Sequence, residues 1–246
     1  MRALWRWLLL VLVALLALQL FFVGRIAAML VVDPQSTAFQ RSEGWRILQE
    51  KGSRLPWRQQ WVPYDQISDH LKRAVIASED DGFSDHEGVD WDALEKAWQR
   101  NSRAEERVAK RAAASGKAQS TRVPKLVGGS TITQQLAKNL FLSGERNLLR
   151  KGQELVLTML LELLLDKRRI LEIYLNNVEW GEGIFGAEAA AQHYYRKSAA
   201  KLGPLEAARL AVMLPRPKYF EKLPNSGYLA SRAATIVARM PDAQLP

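Results

Sequence analysis

Between Glu79 and Glu95 the chain places eight acidic residues and no Lys or Arg. Crowded carboxylates without a neighbouring base disfavour one another's ionisation, so one of them is a candidate proton acceptor near neutral pH. A plainer reading also stands, in which Asp90 and Asp92 open a helix and the others are solvated. Glu79 differs from its neighbours. Ile67, Leu71, Ala74, Val75 and Ser78 fall on one helical face, which carries Glu79 to the edge of a core with Phe83 as a local apolar plug.

A second cluster runs Gly128-Gly129-Ser130-Thr131-Ile132-Thr133-Gln134-Gln135-Leu136-Ala137-Lys138-Asn139. Thr131 and Gln134 have capping-box spacing, so a helix begins directly after the glycines, and helix N-termini favour anions. No Gly-Lys-Ser/Thr follows, so nucleotide binding is not implied. A third cluster is Arg150, Lys151 and Glu154. Two readings stand for it. It is an ordinary surface pair on a helix, or Arg150, Lys151 and Lys138 neutralise a departing polyanion while Glu154 orients a cation or the donor.

These clusters need a scaffold. From Asp65 onward the apolar spacing predicts helices: one ending near Glu79, one capped by Asp90 with Trp91, Leu94 and Trp98 on a shared face, and one starting at Thr131. Asn147 caps another running to about Asp166, whose Leu155–Leu165 stretch is too short to span a bilayer and reads as a buried core helix. Further helices are expected at 168–176, 186–195, 204–214 and 226–240, with Pro204 in a first turn. Strand patterns are scarce. Residues 101–123 carry no apolar stripe and read as irregular, with a transient helix over 104–114 the alternative.

Trp7 to Gly24 is apolar apart from Gln19, long enough to cross a membrane, with Trp5, Trp7, Phe21 and Phe22 near its ends. The run is longer than a signal-peptide core and Ala27-Ala28 is a poor cleavage site, so an uncleaved anchor is expected. Arg2, Arg6 and the amino terminus, set against Arg25, place the body outside the cytoplasm. The expected division is a tail over 1–6, an anchor over 7–24, a juxtamembrane connection over 25–63, a main domain over 64–225 and a C-terminal helix and tail over 226–246.

The net charge of +9 lies in the membrane flank and in residues 100–125, and the remainder is balanced. That distribution fits anionic lipid headgroups or a solvated charge run, and does not suggest nucleic acid. With no Cys and three scattered His residues, disulfides, thiol nucleophiles and an HExxH zinc site are excluded. Ser198-Ala199-Ala200-Lys201 has Ser-x-x-Lys spacing, but no Lys-Thr-Gly follows and we treat it as chance.

Taken together, five blocks resemble the peptidoglycan glycosyltransferase family, most closely its monofunctional membrane-anchored members. The blocks are Glu79-Asp80 with Phe83, His86 and Gly88; Gly129 to Gln135; Arg150-Lys151 with Glu154; Lys167 with Ile170-Leu171-Glu172 and Tyr174-Leu175-Asn176; and Ala187 through Leu214-Pro215. The resemblance implies a mostly α, lysozyme-like glycosyltransferase domain behind one N-terminal transmembrane helix. It implies polymerisation of lipid II into β-1,4 glycan strands with inversion and release of the lipid diphosphate. By the same resemblance Glu79 is the base and Glu154 the second acid, with Ser130, Thr131, Gln134, Gln135, Lys138, Asn139, Arg150 and Lys151 as substrate-binding residues. Mg2+ or Mn2+ assists some members, although this sequence offers no dedicated ligand cage. The implied partners are lipid II, the growing lipid-linked strand, the cytoplasmic (inner) membrane and wall-synthesis proteins. Residues 101–125 are longer and more basic than the family pattern suggests. The competing readings are a lytic transglycosylase or muramidase, and a non-catalytic anchored scaffold.

Overall fold

The structure is a computed structural model that describes residues 2–52, 57–115, 129–142 and 147–246, with backbone alone for 111–115. Gly128 and Lys125 of the sequence clusters, and the 116–123 part of the basic segment, lie outside the described residues. Among the described residues the architecture is mostly helical with one three-stranded sheet.

Helix α1 (Arg2–Ala28) is long and apolar enough to cross a membrane, with a mean hydropathy of 2.6 over its most apolar window. Its far end is not free of the body. Ile26 and Met29 are buried in the core, Phe22 meets Phe141 edge-on with centroids 5.4 Å apart, and Arg25 lies 5.5 Å from the same ring. One turn earlier, Gln19 and Gln153 exchange two amide hydrogen bonds of 3.0 and 3.2 Å.

The stretch expected as a juxtamembrane connection holds α2 (Ala38–Lys51) and β1 (Arg58–Gln59). Thr37 and Gln40 form a capping box, and Gln40 also reaches the Asn177 carbonyl at 3.3 Å, so α2 is fastened to the body at its first turn. Ile47 is fully buried. β1 pairs in parallel with β3 (Ile184–Phe185), which pairs antiparallel with β2 (Glu179–Gly181). Each strand is only two or three residues long, so side-chain alternation had no length in which to appear in the sequence.

The core is built on α3 (Asp69–Glu79), α5 (Ile132–Phe141), α6 (Leu148–Leu164), α7 (Lys167–Asn177) and α9 (Pro204–Met213). Leu71, Ala74 and Val75 of α3 are fully buried, as the 3.6-residue spacing required. Helix α11 (Gly227–Arg239) packs Leu229, Ala233 and Ile236 against α9 and α3. Helices α8 (Ala187–Tyr195) and α10 (Pro217–Glu221) close the sheet side.

Two expectations are corrected. Helix α6 is not buried all round: Leu157, Thr158 and Leu161 are inside, whereas Leu155, Val156, Met159 and Leu163 are exposed, so its apolar stretch has two faces. Residues 101–115, expected to be irregular with a helix over 104–114 as the alternative, continue α4 (Trp91–Ser115) without a break. Alanines and long charged side chains lose little conformational freedom in a helix, so the segment holds helical form without an apolar stripe. Trp91, Leu94 and Trp98 do share a face, and it is exposed.

Candidate active site

Glu79 is the last residue of α3, and the residue that ends the helix also positions it. Asp80 is buried, and its Oδ2 accepts the Ile132 backbone N–H at 2.8 Å. That group is an unsatisfied donor of the α5 N-terminus, where a carboxylate is favoured by both hydrogen bonding and the helix dipole. The other oxygen of Asp80 lies 2.8 Å from His86 Nε2. Because His86 Nδ1 accepts the Gly88 N–H at 3.1 Å, Nε2 carries the proton and donates to Asp80. Asp80 thus fixes the end of α3, the start of α5 and the acidic loop between α3 and α4.

The α5 terminus is held again from its own side. Thr131 and Gln134 complete the expected capping box, and the Thr131 hydroxyl donates to the Gly88 carbonyl at 2.6 Å. Gly88 has φ +85°, and a Cβ there would meet Thr158 and Glu162 of α6 at 2.8 Å. Glu162 accepts from Thr133 at 2.6 Å and from Lys167 at 2.8 Å, and Lys167 also lies 4.7 Å from the Phe83 ring centre. The loop is therefore clamped between α5 and α6 around the Phe83 plug.

This clamping sets Gln135 beside Glu79. Gln135 Nε2 donates to Glu79 Oε2 at 3.0 Å, and Gln135 Oε1 accepts from the fully enclosed Tyr174 hydroxyl at 3.0 Å. Tyr174 thereby fixes which end of the amide faces the carboxylate. Burial raises the Glu79 carboxyl above the usual range; hydrogen bonds from Gln135 and Ser78 and the charge of Lys138 pull it down, while Asp80 pushes it up. A carboxyl raised in this way accepts a proton more readily than an ordinary one.

Two hollows meet at this pair. Glu79, Ser130 and Thr131 line a small cavity of about 150 Å3, whose rim includes Asp81 and Arg239. Arg239 comes from α11 and pairs with Asp81 at 2.9 Å. Gln135, Lys138, Asn139 and Arg150 line a larger cavity of about 430 Å3. Arg150 is held there by Glu154, which is buried and accepts from Arg150 Nη1 at 3.0 Å and from Lys151 Nζ. Glu154 does not line either cavity; it braces the two cations. Gln134 is buried with its amide oxygen on the Thr131 N–H, so its side chain works within the fold.

Through its contact with Gln135 the raised Glu79 carboxyl neighbours an amide that also lines the cavity of Lys138, Asn139 and Arg150. A match to the family model described as Transglycosylase spans residues 47–241, most of the chain. The chain belongs to this transglycosylase family. The similarity extends to named relatives. A Burkholderia thailandensis protein named biosynthetic peptidoglycan transglycosylase is 54% identical over 233 residues, covering 95% of this chain and 84% of that protein. A Janthinobacterium protein of the same name is 53% identical over 247 residues, covering all of this chain and 99% of that protein. One from Bordetella pertussis is 55% identical over 214 residues, covering 87% and 82%.

Several parts of this candidate site are not assigned from sequence. Asp80, His86 and Tyr174 were visible as matching positions without a stated function, although the Glu-Asp pair preceding a Gly-Gly-Ser-Thr block was the available signal. Phe39, Ser42 and Glu43 of α2 form one wall of the larger cavity, and Glu179 of β2 lines it as well. Nothing in their local spacing marks them.

Proposed function

We propose that this chain polymerises lipid II into β-1,4 peptidoglycan strands at the outer face of the cytoplasmic membrane. The observation that carries the reading is the hydrogen bond between Glu79 and Gln135, since Gln135 also lines the cavity that holds Lys138, Asn139 and Arg150. On this reading Glu79 is the base and Lys138 and Arg150 are the polyanion-neutralising group, linked through one amide. Glu79 takes the proton of the acceptor's sugar 4-hydroxyl, and the oxygen forms a bond to the donor's anomeric carbon. The bond from that carbon to the diphosphate breaks, and the undecaprenyl diphosphate leaves with the electron pair. Attack opposite the leaving group converts the α-linked donor to a β-glycoside. Lys138, Arg150 and Lys151 absorb the negative charge that develops on the departing diphosphate, and Glu154 keeps Arg150 and Lys151 from folding away.

The described residues do not form a cage for a divalent ion. Among the described residues no three His, Cys, Asp or Glu side chains are grouped to hold one, and both oxygens of Glu154 are taken by cations. No step is assigned to Mg2+ or Mn2+. The anchor α1 presents the site to a lipid-borne substrate, and Arg2 and Arg6 before it fit a cytoplasmic amino terminus.

The test is incubation of the purified full chain with labelled lipid II, with products resolved by gel. Wild type should form strands, and Glu79→Gln should lower the rate by about 10²–10⁴-fold, the usual contribution of a general base. Full polymerase activity in that variant would remove Glu79 from the mechanism. Clearing of purified murein in a zymogram without strand synthesis would assign a muramidase instead.

A further inference from the structure

The larger cavity has a wall that the proposed reaction does not use. Glu179 of β2 is 6% exposed and lines the same cavity as Gln135 and Arg150. Its Oε1 has no hydrogen-bond partner among the described residues, and the nearest cation, Lys218 Nζ of α10, stands 3.5 Å away. Lys218 is drawn off by Glu43 of α2, with which it makes its closer ion pair, and Glu43 also holds Arg46 at 2.9 Å. Three elements far apart in sequence therefore converge to hold a carboxyl at the cavity with one oxygen that has a cation 3.5 Å away and no hydrogen bond. Leaving such a group buried and unsatisfied is costly, and a bound donor would remove that cost.

The chemistry of the wall narrows the ligand. An anion is disfavoured, because Glu43 and Glu179 both face it. A second cation is not called for, because Lys218 already lies between the two carboxylates. A neutral hydrogen-bond donor remains. Phe39, Pro215 and Pro217 supply apolar surface on the same cavity, which suits the carbon face of a saccharide, with a few polar groups fixing its orientation. Burial raises the Glu179 carboxyl to about 7, against the pull of Lys218 and with the push of Glu43, so near neutrality it both accepts and donates.

We propose that Glu179, braced by Lys218 and Glu43, binds a hydroxyl or acetamido N–H of the lipid-linked saccharide whose diphosphate faces Lys138 and Arg150. The inference rests on the function proposed above and adds a saccharide contact to it. Glu179 acts in binding and takes no part in the bond changes.

The experiment measures initial rates of strand formation by the purified full chain across lipid II concentrations, for wild type, Glu179→Gln, Glu179→Ala and Glu179→Leu. Loss of one hydrogen bond to substrate should raise KM by about tenfold in the Ala and Leu variants, with kcat within about twofold. The Gln variant keeps an acceptor oxygen and a donor, so its KM should stay within about threefold of wild type. The Leu variant retains most of the side-chain volume, which keeps the test valid if Ala opens a destabilising void. An unchanged KM in the Ala or Leu variant, or a fall in kcat alone, overturns the inference while leaving the proposed function standing. Absence of strands from the wild type overturns the proposed function, and this contact with it.

Discussion

Replacing Tyr174 by Phe deletes one oxygen and tests the chain of hydrogen bonds that orients the proposed base. In the native protein the Tyr174 hydroxyl donates to Gln135 Oε1, which obliges Gln135 to present its NH2 to Glu79. Without that hydroxyl the amide is free to turn, and its oxygen would then face a carboxylate that it cannot stabilise. A neutral hydrogen bond contributes about 0.5–1.5 kcal/mol net. Losing the Gln135 donor to the ionised form should push the Glu79 carboxyl further above its burial-raised position, at a cost to the base form of up to about that energy. The sign follows directly. Glu79 must be ionised to take a proton, so the acidic limb of kcat/KM for strand formation should move to higher pH. The rate on the alkaline plateau should change little. The assay is initial-rate strand formation from lipid II between pH 5 and 9 for wild type and Y174F, with thermal unfolding recorded in parallel. An acidic limb that stays in place or moves to lower pH, in a variant that is folded, refutes the orientation argument.

Other consequences concern stability and the anchor. Glu179→Gln should change the pH dependence of unfolding. A carboxyl raised from 4.5 to about 7 favours the folded state fully below 4.5 and loses that contribution as pH rises through 7, so the wild type should lose about 3 kcal/mol relative to the variant between pH 4.5 and pH 8, read by chemical denaturation. Gly88→Ala forces a Cβ to within 2.8 Å of Thr158 and Glu162 at φ +85°, and should cost about 2 kcal/mol or more, with a lowered thermal midpoint and slower strand formation. Gln19 and Gln153 should couple in a double-mutant cycle by about 0.6 kcal/mol in detergent or bilayer, the usual size for an interhelical polar pair in a membrane setting. Strictly additive effects of Gln19→Leu and Gln153→Leu would show that the contact carries no energy.

Much of the scaffold was legible because its signals are local. Helical spacing in α3, the Asp90, Asn147 and Thr131 caps, and Pro204 in the first turn of α9 all follow from residues within a few positions of one another. The burial of Phe83 and the position of Glu79 at a helix end follow from the same apolar face. The expectation that α6 would be buried failed because composition reports how apolar a helix is, and does not say how many neighbours arrive to cover it. The continuous α4 was legible only as the alternative helix over 104–114, because Ala, Arg, Lys and Glu favour helix without leaving an apolar stripe.

Sequence alone determined which residue types were available for proton transfer and charge neutralisation, and that each would sit at or near a helix terminus, since caps and apolar periodicity act over a turn or two. Only the tertiary structure decided which of those termini meet. Asp80 joining α3 to α5, Tyr174 orienting Gln135, and the Glu43–Lys218–Glu179 wall all unite residues between 39 and 175 positions apart. Such pairings are set by how buried faces fit against one another in three dimensions, and no spacing within a single segment encodes that fit.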